Sequence, residues 1–389
     1  MLASCGLIED DALPPCPQGI DLYFRYDRNL QRANMFPDHV GGLTVYIYDA
    51  DGRFIRQQSD AKAEILSPFQ TEGYHMHLEL PVGQYRLVVL ANQKDYASTL
   101  LTPGAKQRVK EPQVGDPITD LRVSLDHAAN PVYSDTAPLA LRSATDGDDN
   151  STAPGEPIYR VDNHAAPLDT LWLGYVPRDS VDRYTATGRL DSLISVPFEG
   201  VVRHTAYLTR DTKQINVTLR DVELPSDVDV ADYDFRITDH NSAILYDNAV
   251  DESVALLYTP FATWNTTDIV DPDHPVQQPD GTVNPGSIGH ADFMTSRIIY
   301  HDASTTDHAV DAQLIVTHRP SGREIIRVNL ADLLSRLRTS ADRYYTPQEF
   351  LDRGYDYRLT FFLQGNRWKY VNVEISNLSW ARRFQAEDL

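Results

Sequence analysis

Three groups of residues in this 389-residue chain have types and spacings that could do chemistry. Met1-Leu2-Ala3-Ser4-Cys5 has the form of a bacterial lipobox: an aliphatic residue, two small residues, then cysteine. Small residues let a lipoprotein signal peptidase cut, and the thiol of Cys5 then takes diacylglycerol. His75 and His77, at i and i+2, share one face of an expected strand and could bind zinc, but no third ligand is evident. Asp49 and Asp51 before Gly52 echo the opening of a calcium loop, yet the closing Glu is absent.

The plainer account of the histidines is a solvated or partly packed strand face, and of Asp49–Gly52 a hairpin turn. The run Asp146-Gly147-Asp148-Asp149 could hold calcium loosely, but reads more simply as a solvated acidic loop. No Gly-x-Ser-x-Gly elbow, His-Glu-x-x-His, P-loop or Gly-x-Gly-x-x-Gly occurs. The expectation is therefore no enzyme, no cofactor, no metal and no catalytic residue. Cys5, as a lipidation site, is the one candidate.

Cys16 is the only other cysteine, so either a Cys5–Cys16 disulfide forms or a lipidated Cys5 leaves Cys16 free. Pro14, Pro15 and Pro17 favour an extended tether between anchor and first strand. The basic start and apolar run of a signal peptide are missing before Cys5, so the sequence is expected to be trimmed there. Nowhere do 18 apolar residues run consecutively, so no spanning helix is expected.

Charge narrows the class further. Lys and Arg number 35 against 56 Asp and Glu, a net −21, which argues against nucleic acid as a partner. Apolar content of 41% and charged content of 23% are globular values, so wholesale disorder is excluded. With 21 Tyr and 24 Pro beside 4 Met, the composition leans towards strands and turns.

The elements that must position these residues are mostly strands. Ile20, Leu22, Phe24 and Tyr26 alternate with polar neighbours, as do Leu43, Val45 and Ile47. Residues 74–80 and 84–91 are two more runs, and Gly83 is expected to give the positive φ of a tight hairpin between them. Further strands are expected at 121–125, 168–176, 206–208, 215–219, 233–238, 296–300, 312–317, 324–328, 357–363 and 371–375. Residues 126–167 and 262–292 read as loops rich in Pro, Gly and Asp. One helix stands out, with Asn329 as N-cap and a stripe of Leu330, Leu333, Leu334 and Leu337. Trp264, Trp368 and Tyr344-Tyr345 could form a sugar-stacking platform, but the plainer account is that Trp172, Trp368 and Trp380 fill sandwich cores while the tyrosines cover sheet faces.

In sequence order these segments resemble the FimB-type fimbrium anchoring subunits of Bacteroidales, fimbrillin-like outer-membrane lipoproteins. The resemblance is carried by the lipobox, Leu13-Pro14-Pro15-Cys16-Pro17 and Ile20-Asp21-Leu22-Tyr23-Phe24-Arg25-Tyr26-Asp27. It continues at Asn34-Met35-Phe36-Pro37, Leu43–Asp49, Leu80–Tyr85, Leu171-Trp172-Leu173-Gly174, Leu208-Thr209-Arg210, the leucine helix and Trp368 to Trp380.

What the resemblance implies is an all-β protein of two tandem transthyretin-like β-sandwich domains, with one short helix in the second. The expected division is a lipobox and tether over 1–18, then domains over 19–205 and 206–389. The implied role is a structural subunit, exported through the periplasm, that attaches a fimbria to the outer membrane and limits its length. Its implied partners are the membrane, through palmitate-type lipid on Cys5, and fimbrial shaft subunits, by strand addition or exchange. Leu22–Tyr26 and Val371–Ile375 are the favoured mating strands, unless both are buried within their own sheets. A surface glycan-binding lipoprotein, or a tip or accessory adhesin, is the alternative.

Overall fold

The computed structural model describes residues 17–61, 68–132, 157–179, 181, 184, 192–223, 226–267, 286–302, 310–365, 367–375 and, for the main chain, 382–387. Ile20, Leu22, Phe24 and Tyr26 are all buried on one face of β1 (Gly19–Arg25), as alternation requires. The strands that follow are β2 (Gly42–Asp49), β3 (Phe54–Ala61), β4 (His75–Glu79), β5 (Gly83–Asn92), β6 (Gln107–Val109), β7 (Arg122–Leu125) and β8 (Ile158–Arg160). Next come β9 (Leu171–Tyr175), β10 (Ile194–Val196), β11 (Val201–Arg210), β12 (Lys213–Asp221), β13 (Tyr233–Asp239), β14 (Ala243–Leu245), β15 (Val250–Asp251) and β16 (Ala255–Tyr258). The last are β17 (Ala262–Thr267), β18 (Ser287–Thr295), β19 (Gln313–His318), β20 (Arg323–Asn329), β21 (Asp356–Leu363), β22 (Trp368–Ile375) and β23 (Arg382–Glu387).

Four sheets result, and the protein is all-β. The first has the order β3-β2-β5-β9-β11-β1-β4, with β10 beside β5. It curls around Leu22, Val45, Ile47, Leu78, Val89 and Trp172. Its other face, through Tyr46, Tyr48, Leu90 and Leu173, packs on the sheet β15-β14-β7-β6. The remaining two sheets, β20-β19-β13-β16-β8 and β17-β18-β12-β21-β22-β23, enclose Val217, Phe235, Leu314, Leu359, Phe361 and Val373. These are sandwiches built from residues at alternate positions.

The chain exchanges strands between its halves. β14 pairs with β7, and β8 pairs in parallel with β16, so each half lends strands to a sheet of the other. Residue 205 lies within β11, which runs parallel to β1, and β12 opens the next sheet only three residues after β11 ends.

Several local expectations change. The 262–292 segment contains β17 and the start of β18, and 126–167 contains β8. β4 and β5 form no hairpin: β4 pairs with β1, whereas β5 pairs with β2, β9 and β10. Gly83 has no positive φ, and a Cβ there would sit tightly, 3.2 Å from the Tyr85 hydroxyl. Residues 296–300 are irregular rather than the expected strand, and they include the buried Arg297 side chain. The Asp49–Gly52 turn forms with Gly52 at φ +75° and the Asp49 Oδ1 accepting from Arg53 N at 2.8 Å.

The leucine helix is α3 (Leu330–Ser335), capped as expected by Asn329, whose side chain accepts from Asp332 N at 3.0 Å. It follows α1 (Phe36–His39) and α2 (Tyr96–Leu101), and packs beside α4 (Pro347–Arg353). Thr346, Pro347 and Glu349 start α4 in the manner that N-terminal capping favours.

Candidate functional site

Two residues, Asp211 and Thr212, join β11 to β12, and they are buried together with the flanking Arg210 and Lys213. Charges removed from water need partners, and α4 supplies them. Arg297 grips Asp352 with Nε–Oδ1 of 2.8 Å and Nη2–Oδ2 of 2.5 Å, and also donates to the Asn248 carbonyl. Lys213 Nζ donates to the carbonyls of Gly354 at 2.8 Å, Arg210 at 3.1 Å and Asp352 at 3.3 Å. The Tyr184 hydroxyl donates to Asp352 Oδ2 at 2.5 Å, and Gln348 Nε2 to Oδ1 at 3.0 Å.

Burial by itself would raise the Asp352 pKa, but Arg297 and then Lys213 hold it below the usual carboxylate value. Asp211 lacks that support, with Arg297 Nε 3.9 Å away. Burial outweighs Arg297 there and pushes the carboxyl up to about 7. This cluster is sealed from solvent, so it locks the two sheet systems together and offers no access to a substrate.

Capacity to bind lies at the sheet edges, where unpaired N–H and C=O groups run along a strand. Most edges are guarded. β3 and β4 face each other, and Gln58 Nε2 donates to the His77 carbonyl at 3.0 Å and Arg56 Nη2 to that of Glu79 at 2.9 Å. β6, β8 and β15 have only two or three residues each. β20 carries Arg323, Glu324 and Arg327. β17 differs. It has six residues, Ala-Thr-Trp-Asn-Thr-Thr, with no charge and no proline, and five of its side chains are exposed. Trp264 stacks on His290 at 5.1 Å and stays 41% exposed.

The residues singled out in the sequence scatter. Cys5, Cys16, Asp146–Asp149 and Trp380 lie outside the described residues. His77 Nδ1 lies 2.8 Å from Asp21 Oδ1, a cross-strand hydrogen bond, and His75 Nδ1 lies 3.0 Å from the Gly73 carbonyl. Among the described residues no group of three or more His, Cys, Asp or Glu is arranged to hold a metal ion. No described helix is long and apolar enough to cross a membrane.

Trp172 is buried, Trp368 packs edge-on against Phe361, and Tyr344 stands exposed beside Arg343. Trp264 sits on β17, and no ring contact joins it to Trp368 or Tyr344 among the described residues. Both favoured mating strands are central: β1 lies between β11 and β4, and β22 between β21 and β23. The edge β17 was hidden in the sequence because its only signal is a short uncharged run beside a loop-like segment.

Fold and edges together define an all-β sandwich protein with one six-residue uncharged strand edge among the described residues. The chain belongs to the family of fimbrillin-A associated anchor proteins Mfa1 and Mfa2, whose profile matches residues 13–385. Family members are structural fimbrial proteins rather than enzymes.

Among solved structures, the chain is similar to a candidate adhesin from Bacteroides thetaiotaomicron at 24% identity and a TM-score of 0.64, covering 95% of this chain and 99% of that one. A candidate polysaccharide-binding protein from the same organism gives 23% identity and 0.61, covering 94% and 98%. The fimbrial anchor protein Mfa2 from Porphyromonas gingivalis gives 15% and 0.53, covering 94% and 99%. At these identities the likeness concerns the fold. No curated protein matches the chain.

Proposed function

We propose that this chain is the lipid-anchored base of a fimbria, held in the outer membrane through Cys5 and docking a shaft subunit by strand addition at β17. The observation that carries the docking reading is the uncharged, proline-free β17 edge in a family of fimbrial anchors. An added strand gains main-chain hydrogen bonds along β17 while its alternate side chains meet Trp264 and its neighbours. Cys5 precedes the first strand by a proline-containing tether, which suits a lipid anchor that leaves the sandwiches free to engage a polymer. A base subunit that is fixed in the membrane and offers one docking edge also limits fimbrial length. Like its family, it works without catalysis.

The test pairs cysteines at Thr263 and Thr267 with cysteines in a coexpressed fimbrial subunit. Disulfide-linked heterodimers at either position support the reading. Their absence, with crosslinks forming at β20 instead, contradicts it.

A further inference from the structure

The β registers define two ends of the first sheet. At one end β1 and β11 begin side by side, with Gly19 opposite Val201, and β4 ends with Glu79 opposite Gly19. β5 begins there too, Gly83 opposite Val196, and β2 ends, Asp49 opposite Tyr85. The other end carries Arg210 and leads into the second half.

The first end is where exposed apolar side chains gather. Val82, in the β4–β5 connection, is 57% exposed, and Phe198, between β10 and β11, is 78% exposed. Val114, in the segment that pairs with Phe54 through Gly115 N, is 82% exposed at the same end. Among the described residues, three of the nine exposed large apolar side chains thus lie at one end of the first sheet, beside the entering chain.

That region is also where the chain enters. Gln18 Nε2 donates to the carbonyls of Pro197 at 2.9 Å and Phe198 at 3.1 Å, so the segment bearing Cys5 departs from beside Phe198. Twelve residues lie between Cys5 and Gln18, and the thirteen steps reach at most about 45 Å when fully extended. Lipid is therefore the surface that this end meets at the highest effective concentration.

We propose that this end of the protein seats on the lipid bilayer, with Val82 and Phe198 dipping into its interface and Val114 beside them. The inference rests on the lipid-anchored reading of Cys5 and adds an orientation: first sandwich against the membrane, β17 and the second sandwich turned outwards. Charges of both signs rim the apolar tips: Asp49, Asp51, Glu79 and Glu199 stand beside Arg53, Arg203, Arg56, which donates to the Glu79 carbonyl, and Arg86, which reaches the Ala50 carbonyl. Apolar insertion rather than headgroup charge is accordingly what seats this end.

The test uses the full chain with Cys5→Ser and Cys16→Ser, tethered by an N-terminal hexahistidine tag to phosphatidylcholine vesicles containing a dilute nickel-chelating lipid. A polarity-sensitive dye is placed at Glu199→Cys or, as a control, at Gly322→Cys in the β19–β20 turn. The dye at 199 should shift to the blue on vesicles and be quenched by brominated acyl chains, while the dye at 322 does neither. Adding Val82→Asp and Phe198→Asp should abolish the shift without releasing the protein from the tether or lowering its melting temperature. A dye at 199 as water-exposed as that at 322 overturns the proposal, as does a shift that survives the double substitution. A shift that appears only when a fimbrial subunit is added also overturns it, marking a protein-docking tip. Because nickel lipid supplies the tether, these outcomes do not depend on acylation. Palmitate labelling of the native lipoprotein against Cys5→Ala judges the lipid reading separately.

Discussion

Arg297 and Asp352 meet through two side-by-side hydrogen bonds, 2.8 and 2.5 Å long, and each side chain is only 1% exposed. The arginine follows β18 and the carboxylate belongs to α4, so the pair fastens a sheet to a helix beside the only short passage between β11 and β12. Such a pair contributes little net stability over a well-packed apolar pair, but removing one partner strands a buried charge.

Asp352→Asn and Arg297→Met should each destabilise the protein by about 3–5 kcal/mol. The double variant Arg297→Met with Asp352→Leu should lose less than the sum of the two single losses, because the pair goes together and buried Lys213 keeps Asp211 as a counter-charge. Urea midpoints for the three proteins check this. Additive losses in the double variant would contradict the pairing.

Asp211 gives a pH signature of opposite sign to a salt-bridged acid. Its pKa rises from 3.8 to about 7 on folding, so the native state holds the proton more tightly. The associated stability is complete below pH 4 and is lost as pH climbs to about 7. Asp211→Asn keeps the shape without the titration. It should therefore gain on the native protein by on the order of 2–4 kcal/mol between pH 4 and pH 7, and no more above that. A difference in unfolding free energy that stays flat across this range would refute it.

Where a strand is half buried, the sequence is easily read. Ile20 to Tyr26 and Tyr357 to Leu363 alternate cleanly because one face meets a core and the other does not. β18 escaped notice because its buried positions include Gly289, Ala291 and Thr295, which carry little hydrophobic signal. β17 escaped because an exposed edge has no apolar face to reveal. The pairings β7–β14 and β8–β16 join residues about a hundred positions apart or more, and local pattern contains no information about them. The candidate docking edge follows from sheet order, which is why the central strands β1 and β22 were favoured in its place.

Charging the β17 edge should separate docking from folding. Thr263→Lys with Thr267→Lys is expected to change stability by less than about 0.5 kcal/mol, since both side chains are exposed. The same change should reduce capture of a fimbrial subunit at least tenfold, because lysines on an edge strand oppose strand addition. Pull-down titration beside thermal melting checks both. Unchanged capture would move the docking site elsewhere.

Gly19 opens β1 at φ +137°, and a Cβ there would stand 2.0 Å from the Leu78 carbonyl oxygen. Gly19→Ala should therefore push β1 away from β4 and lower stability by about 1–3 kcal/mol. Hydrogen exchange at residues 76–80 should accelerate before the rest of the sheet. Protection equal to that of the native protein would show that the strand ends tolerate the shift.

The central claim is that this chain joins a fimbria to the outer membrane. The most direct measurement is crosslinking mass spectrometry on outer membranes from cells expressing the native lipoprotein, compared with cells expressing Cys5→Ala. The account predicts crosslinks between β17 and a fimbrial subunit in native membranes, and release of both proteins together when Cys5 is replaced. Recovery of the chain in membranes without any fimbrial subunit attached, or fimbriae that stay on the cells after Cys5→Ala has released the chain, would contradict it.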